Sequence, residues 1–512
     1  MFRTAKPVLM VLSAALMALA GCAVVTPGPD YQRAGQYVTQ ATGQRSIYQP
    51  GDDEAIIADK VKDLLAGGIT ADEAVQICLL NNPGLQAAFM DVGMARADVV
   101  QSGLLSNPSL GMALGFPAGG GLANIDAGLA QDIAELWQIP ARKRATERSL
   151  DRAILRLARQ AADLAADTKI AYYKAVGTEQ LHGIRQEDVT VAQNLLDLAL
   201  VRQTTGAATD LDVNLSRRLA LDAELEAESG RLARADARRA LARLLGLTTD
   251  ASKLVLVDVL PEVPPKLPDA EKLIELACVY CLDMQAARQA VAAAKARLQE
   301  ECRRVFRNVE LGVSLERGER QRQGGRDILA DTARASIANG GLTAPGIQPR
   351  SERGQGTDFI IGPSLSLELP IFDQNQAQIA KATYAYEQAV KNAEALRRAA
   401  AQEVRSSVDR VLTAWKLAQI YRDRSLPLAR ENLDLSREAY RAGRASFLAV
   451  LEAQRLFLES RSRAAETAQT AATAAAEMER TMCLPFDELV AKVGAETETN
   501  TQVDRPKQGG KP

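Results

Sequence analysis

The sequence predicts a mixed α/β membrane protein. Four short amphipathic strands per chain would close, as a trimer, into a 12-stranded β-barrel that a long α-helical barrel continues. Three observations predict it. Four segments alternate apolar with small or polar residues at period two. The helical stretches between them are too long for a small globular core. The order of strands and long helices occurs twice.

Each strand has one apolar face. In 108–116, Leu110, Met112, Leu114 and Phe116 alternate with Ser109, Gly111, Ala113 and Gly115. Pro117 to Gly121 makes a turn. In 124–134, Ile125, Ala127 and Leu129 oppose Asn124, Asp126 and Gly128. In 308–317, Val309, Leu311, Val313 and Leu315 oppose Glu310, Gly312, Ser314 and Glu316. A polar, Gly-rich loop, Gly318 to Gly356, leads to 358–369. There Phe359, Ile361, Leu365, Leu367 and Leu369 oppose Gly362, Ser364, Ser366 and Glu368. About nine to eleven residues cross a bilayer at a tilt. An apolar face suits lipid and a polar face suits water. Four strands enclose no interior, and open edges are untenable in lipid. Threefold assembly supplies twelve strands and a closed rim.

Helical patterning starts with Thr70-Ala71-Asp72-Glu73, a cap with Glu in the first turn. Asn81-Asn82-Pro83 interrupts it, and a second helix follows to about Leu105. After the first hairpin, a helix runs over about 140–205 with almost no breaker. Roughly sixty residues would span roughly 90 Å at 1.5 Å each. Gly206 marks a reversal, and a second helix occupies about 210–245 before Gly246. In the second half, a helix covers about 270–304, and long helices occupy about 375–426 and 428–482. Pro140 lies 235 residues before Asn375, and Gly206 lies 237 before Gly443. The chain therefore divides into repeats over 70–260 and 261–483. Pro261, Pro264, Pro265 and Pro268 connect them. An extended tether, 22–69, precedes the repeats, and a polar tail, 484–512, follows.

Residues 1–21 read as a lipoprotein signal peptide. Arg3 and Lys6 precede an apolar run, Val8 to Leu19, too short to span a bilayer. Leu19-Ala20-Gly21-Cys22 matches a lipobox, which would place lipid on Cys22. Several acyl chains anchor well, at roughly 0.8 kcal/mol per buried methylene. An ordinary signal peptide with an incidental cysteine is the alternative reading. Ala23, rather than Asp, favours delivery to the outer membrane.

Composition excludes several classes. Lys plus Arg number 62 against 64 Asp plus Glu, so bulk charge predicts no nucleic-acid partner. Aromatics make up 4%, as suits long packed helices. His182 stands alone and reads as structural. No Gly-x-Ser-x-Gly turn, His-Glu-x-x-His helix or metal cluster occurs, so no catalytic residue, metal or cofactor is expected. Cys278 and Cys281 have redox spacing but lie in an apolar helical run. They read as a buried or incidental pair, with a disulfide open in an oxidising compartment. Trp137 reads as a membrane-boundary residue.

The landmarks resemble the outer-membrane efflux protein family, in its lipoprotein branch. The resemblance is carried by Cys22 with Gly28-Pro29-Asp30-Tyr31, by Asn82 to Ala87 and by Gly103 to Leu110. Leu369 to Gln376 and Tyr440 to Gln454 complete it. It covers about Cys22 to Met482. It implies a passive exit duct: an outer-membrane barrel above a periplasmic helical tunnel, with no bond chemistry of its own. The partners implied are two further copies, a periplasmic adaptor (membrane fusion) protein, an inner-membrane pump, expected to be proton-driven, and outer-membrane lipids. The hairpin tips, with Arg202, Gly206, Arg441, Gly443 and Arg444, would face the adaptor. Some members narrow the pore with two acidic residues on the second hairpin. The matching positions here are Ala449 and Glu452, and the first hairpin offers Asp210 and Asp212. Three copies of Glu452 or Asp212 facing a lumen would form a carboxylate ring. Glu310, Glu316, Glu368, Asn124 and Asp126 would wet the barrel interior. Cargo would be small molecules or metal ions. A duct for polypeptide secretion and a structural envelope lipoprotein are the competing readings.

Overall fold

The computed structural model describes residues 23–116, 123–206, 208–248, 250–260, 269–320, 332–342, 356–486 and 488–489. Residues 1–22, read above as a signal peptide and lipidated Cys22, the turn at Pro117, the proline connector, most of the Gly318 to Gly356 loop and the residues beyond 489 lie outside them. The chain forms two compact units. One comprises 1–98, 147–292 and 387–512, and the other 99–146 and 293–386.

The first unit opens with two helices, α1 (Gly28–Thr42) and α2 (Glu54–Ala66), where the sequence reading places an extended tether. Their apolar residues are few but correctly spaced: Tyr31, Ala34, Val38 and Ala41 bury one stripe of α1, and Ile57 and Val61 one of α2. Pro27 and Pro29, read as loop signals, sit where a helix begins and no N–H is missed. Asp53 caps α2 by accepting the Ala55 N–H. Asp30 is fully buried and takes a two-pronged bond from Arg96.

Each repeat then builds a short helix, a break and a longer helix. In the first these are α3 (Ala71–Asn81) and α4 (Pro83–Ser102). Thr70 and Glu73 make a reciprocal capping box on α3. In the second they are α7 (Ala270–Tyr280) and α8 (Leu282–Arg303), so the expected helix over 270–304 is broken at Cys281. No Gly or Pro marks that break. The side chain of Gln285 in α8 donates back to Val279 O and Tyr280 O, as Gln86 in α4 donates to Leu80 O.

The long helices of the first repeat are α5 (Glu135–Thr204) and α6 (Asp210–Leu244). α5 starts before Pro140, not at it. Asp132 accepts the Ala134 N–H at its start, and Arg303 donates to Trp137 O in the turn the proline interrupts. In the second repeat, α9 (Gln376–Ile420) passes through a π-turn (Tyr421–Ser425) into α10 (Leu426–Arg441). α11 (Phe447–Met482) then follows. The sequence reading divides this arm at Pro427 and runs a helix over 428–482; the helix instead ends at Gly443, the tip that the resemblance implies. The π-turn explains why. Leu426 N–H reaches back five residues to Tyr421 O, and the widened turn admits the proline ring.

Two cores in this unit echo the repeats. Ile77, Leu80, Tyr172, Val176, Leu241 and Leu245 gather α3, α5 and α6. Leu273, Leu276, Val404, Val411, Met478 and Met482 gather α7, α9 and α11. Tyr172 Oη donates to Ile69 O at 2.8 Å and accepts from Asp258 N–H at 3.1 Å.

The second unit holds β1 (Ser109–Gly115), β2 (Asn124–Asp132), β3 (Val309–Arg320) and β4 (Gly356–Leu367). They form one antiparallel sheet in the order β1-β2-β3-β4. Pairing of β2 with β3 joins the hairpins of the two repeats. Buried Asn375, at φ 63°, turns the chain into α9. Its amide donates to Glu301 and its carbonyl oxygen accepts from Arg307. Asn is among the few side chains that tolerate this left-handed backbone.

Candidate functional site: the sheet and the hairpin tips

Register decides what each sheet face presents. Leu110 lies opposite Leu129, which lies opposite Val313. Leu311 opposes Leu365, and Leu315 opposes Ile361. This apolar face is uncovered: Leu110 is 72% exposed and Ile361 70%. Phe116, Phe359 and Phe372 are exposed as well. The other face carries Asn124, Asp126, Gly128, Glu310, Gly312, Ser314 and Glu316. Asp126 pairs with Glu316 and Asp132 with Glu310. Carboxylates directly opposite repel unless water separates them. Gly312 permits close packing there, since a Cβ would stand 2.5 Å from Leu129 O. β1 pairs only with β2, and β4 only with β3, among the described residues. The sheet therefore ends in two edges with unpaired backbone groups. Among the described residues no helix is long and apolar enough to cross a membrane, which says nothing of a β-barrel.

The hairpin tips belong to the first unit. Gly206, at φ 73°, ends α5, and Gly443, at φ 70°, ends α10. Both need the left-handed region that glycine enters freely. Thr209 caps α6, and Asp212 completes a capping box by accepting from Thr209 N–H and Oγ1–H at 2.9 and 2.8 Å. Asp210 accepts from Gln203 at 2.5 Å. Ser446 caps α11, but Ala449 stands at the position where Asp212 closes the first box. Glu452 is exposed and bonded to Arg455 at 2.7 Å. That bond holds its carboxyl below the usual range. The tips pack together through Ala199, Val213, Phe447 and Leu451. Arg202 lies over the Tyr440 ring, 4.6 Å from its centroid. Arg441 and Arg444 are exposed. The structure thus brings Arg202 to the second hairpin and gives Asp210 and Asp212 local bonding roles. Tyr440 and Phe447, which join the tips, were not singled out in the sequence. Their signal was their place flanking Gly443.

His182 is buried, and the described residues include no cluster of three His, Cys, Asp or Glu arranged for a metal.

One unit thus presents a sheet with a bare apolar face, and the other holds helical hairpins that pack together at their tips. Residues 273–482 match the model of the Outer membrane efflux protein family. None of the curated proteins searched matches the chain. Among solved structures, the chain resembles a membrane protein from Pseudomonas aeruginosa: 19% identity over 80% of this chain and 93% of that one, TM-score 0.61. The outer membrane protein VceC of Vibrio cholerae is 16% identical over 81% and 96%, TM-score 0.60. The open-state MtrE outer membrane channel of Neisseria gonorrhoeae is 17% identical over 81% and 88%, TM-score 0.59. At these identities the likeness is one of fold.

Proposed function

We propose that the chain is a passive outer-membrane exit duct of a tripartite efflux system. The observation that carries this reading is the sheet: an exposed apolar face, an acidic and small-residue face, and two unsatisfied edges. Lipid is the environment that rewards the first, a water-filled lumen the second, and neighbouring copies the third. Three chains joined β1 to β4 make a twelve-stranded barrel, and the hairpins make a periplasmic tunnel. Lipid on Cys22 anchors each chain. The tips, with exposed Arg441 and Arg444 beside Gly206 and Gly443, face a periplasmic adaptor, and Arg202 braces them through Tyr440. Glu452, exposed and held by Arg455 one turn on, is the pore-lining carboxylate of this reading; Asp212 closes a helix cap and Asp210 accepts from Gln203. The duct performs no bond chemistry. A proton-driven inner-membrane pump supplies the energy, and cargo is small molecules or metal ions.

Electron cryomicroscopy of the detergent-extracted protein tests this. A trimer with twelve strands around a continuous lumen is expected. A monomer with its sheet face covered by its own chain would overturn the duct and favour an anchored structural protein.

A further inference from the structure

The two repeats fasten equivalent junctions by different chemistry. In the first, the α3–α4 break meets the end of α6. Asn81 Nδ2 donates to Leu245 O and Gly246 O at 2.9 and 3.0 Å, and Asn82 Nδ2 to Leu244 O at 2.9 Å. The Asn82 side chain also caps α4, accepting from Gly84 and Leu85 N–H. In the second repeat, Tyr280 and Cys281 occupy the places of Asn81 and Asn82, so those amide bonds are missing. The end of α11 carries Cys483 where α6 has Gly246, and both residues are left-handed, at φ 52° and 68°.

These two cysteines meet. Arg159, which bonds Cys483, also meets Asp283 two residues beyond Cys281, the neighbouring Ala277, Met482 and Leu484 share one core, and each thiol is the chief influence on the other's acidity. Cys281 stands at the start of α8, where Asn82 stands before α4, and the amides of Met284 and Asp283 favour its thiolate. The Cys483 sulfur accepts from Arg159 Nη1 at 2.9 Å. Asp283 lies 3.3 Å from the same guanidinium. Both cysteines are buried. The Cys483 hydrogen bond and the helix amides draw the Cys281 thiol down, which makes it the better thiolate.

We propose that Cys281 and Cys483 close into a disulfide that staples the end of α11 to the α7–α8 junction, replacing the asparagine clamp of the first repeat. The compartment rests on the outer-membrane reading; the pairing itself does not. The oxidant is an external disulfide, small or protein-borne. As the chain folds, the Cys281 thiolate attacks one of its sulfurs, forming a mixed disulfide and releasing one thiol. Cys483 gives up its proton, attacks the Cys281 sulfur and releases the second thiol. Two thiols of the protein are oxidised and one external disulfide is reduced. The bond closes a loop of roughly 200 residues, the kind that most restricts an unfolded chain in the entropic account.

The test uses purified full-length protein equilibrated with oxidised and reduced glutathione, then acid-quenched, alkylated, digested and weighed. A reducible peptide pair joining Cys281 to Cys483 is expected, with Cys278 and Cys302 alkylated. Alkylation of both Cys281 and Cys483, or a Cys278–Cys281 bond, would overturn the proposal. Cys483→Gly keeps the left-handed turn without the thiol. Reductant should lower the wild-type Tm by a few degrees and leave that of Cys483→Gly unchanged; an equal shift in both would also overturn it. Membrane fractionation of the same cells decides the location separately.

Discussion

Asp30 shows how one buried charge holds an N-terminal segment in place. It has almost no contact with water and is bonded by Arg96 through two nitrogens, with Arg33 3.8 Å away. Removing one partner of a buried pair strands the other. Asp30→Ala should therefore cost about 3 kcal/mol, read by denaturant unfolding. Asp188, in α5, has the opposite balance. Burial pushes its carboxyl up to about 6, against partial relief from Arg461, while Glu187 adds to the rise and Arg185 opposes it. One carboxylate oxygen is buried without a hydrogen bond. Its folded pKa exceeds the ordinary 3.8, so its charge destabilises the fold above pH 6. That penalty fades as pH falls from 6 to 3.8. Asp188→Asn should raise Tm at neutral pH and converge with wild type as pH falls through that window. A difference between the two that stays constant with pH would exclude this origin.

At the scale of elements, the sheet makes two sets of neighbours unequal. Val313 points to the bare apolar face and Ser314 to the acidic one. If the sheet lies in lipid as proposed, Val313→Arg should cost about 2–4 kcal/mol and lower the yield of folded protein in the outer-membrane fraction. Ser314→Arg should leave that yield intact and shift ion preference in planar bilayers toward anions. Strand alternation was legible because its period is short and local. The breaks within helices were less so. Pro427 looks like a helix stop, yet a π-turn carries the chain through it. Cys281 looks like helix interior, yet the helix breaks there, where Gln285 donates back across the break to Val279 O and Tyr280 O. Comparing the repeats was the available signal: Gln285 stands to Cys281 as Gln86 stands to Asn82.

For the whole molecule, the proposed duct depends on what meets the sheet edges and what lines its lumen. If Glu452 rings a pore, Glu452→Gln should reduce cation preference in single-channel recordings and leave the trimer intact. Asp212→Asn should act mainly on stability, because its carboxylate closes a helix cap. Equal conductance in wild type and Glu452→Gln would remove Glu452 from the pore.

The sequence by itself determined the duplicated order of elements, the four amphipathic strands and the reversal at Gly206. Each rests on local stereochemistry, either side-chain period or glycine's access to positive φ. Tertiary structure decided the rest. Whether 28–66 is tether or helix turned on the surfaces its few apolar residues bury. The bonding of Asp210, Asp212 and Glu452 turned on neighbours three to seven residues away and on helix-end geometry. The meetings of Cys281 with Cys483, Arg202 with Tyr440 and Asp30 with Arg96 join residues far apart in the chain. No local pattern encodes such contacts, because packing chooses the partner.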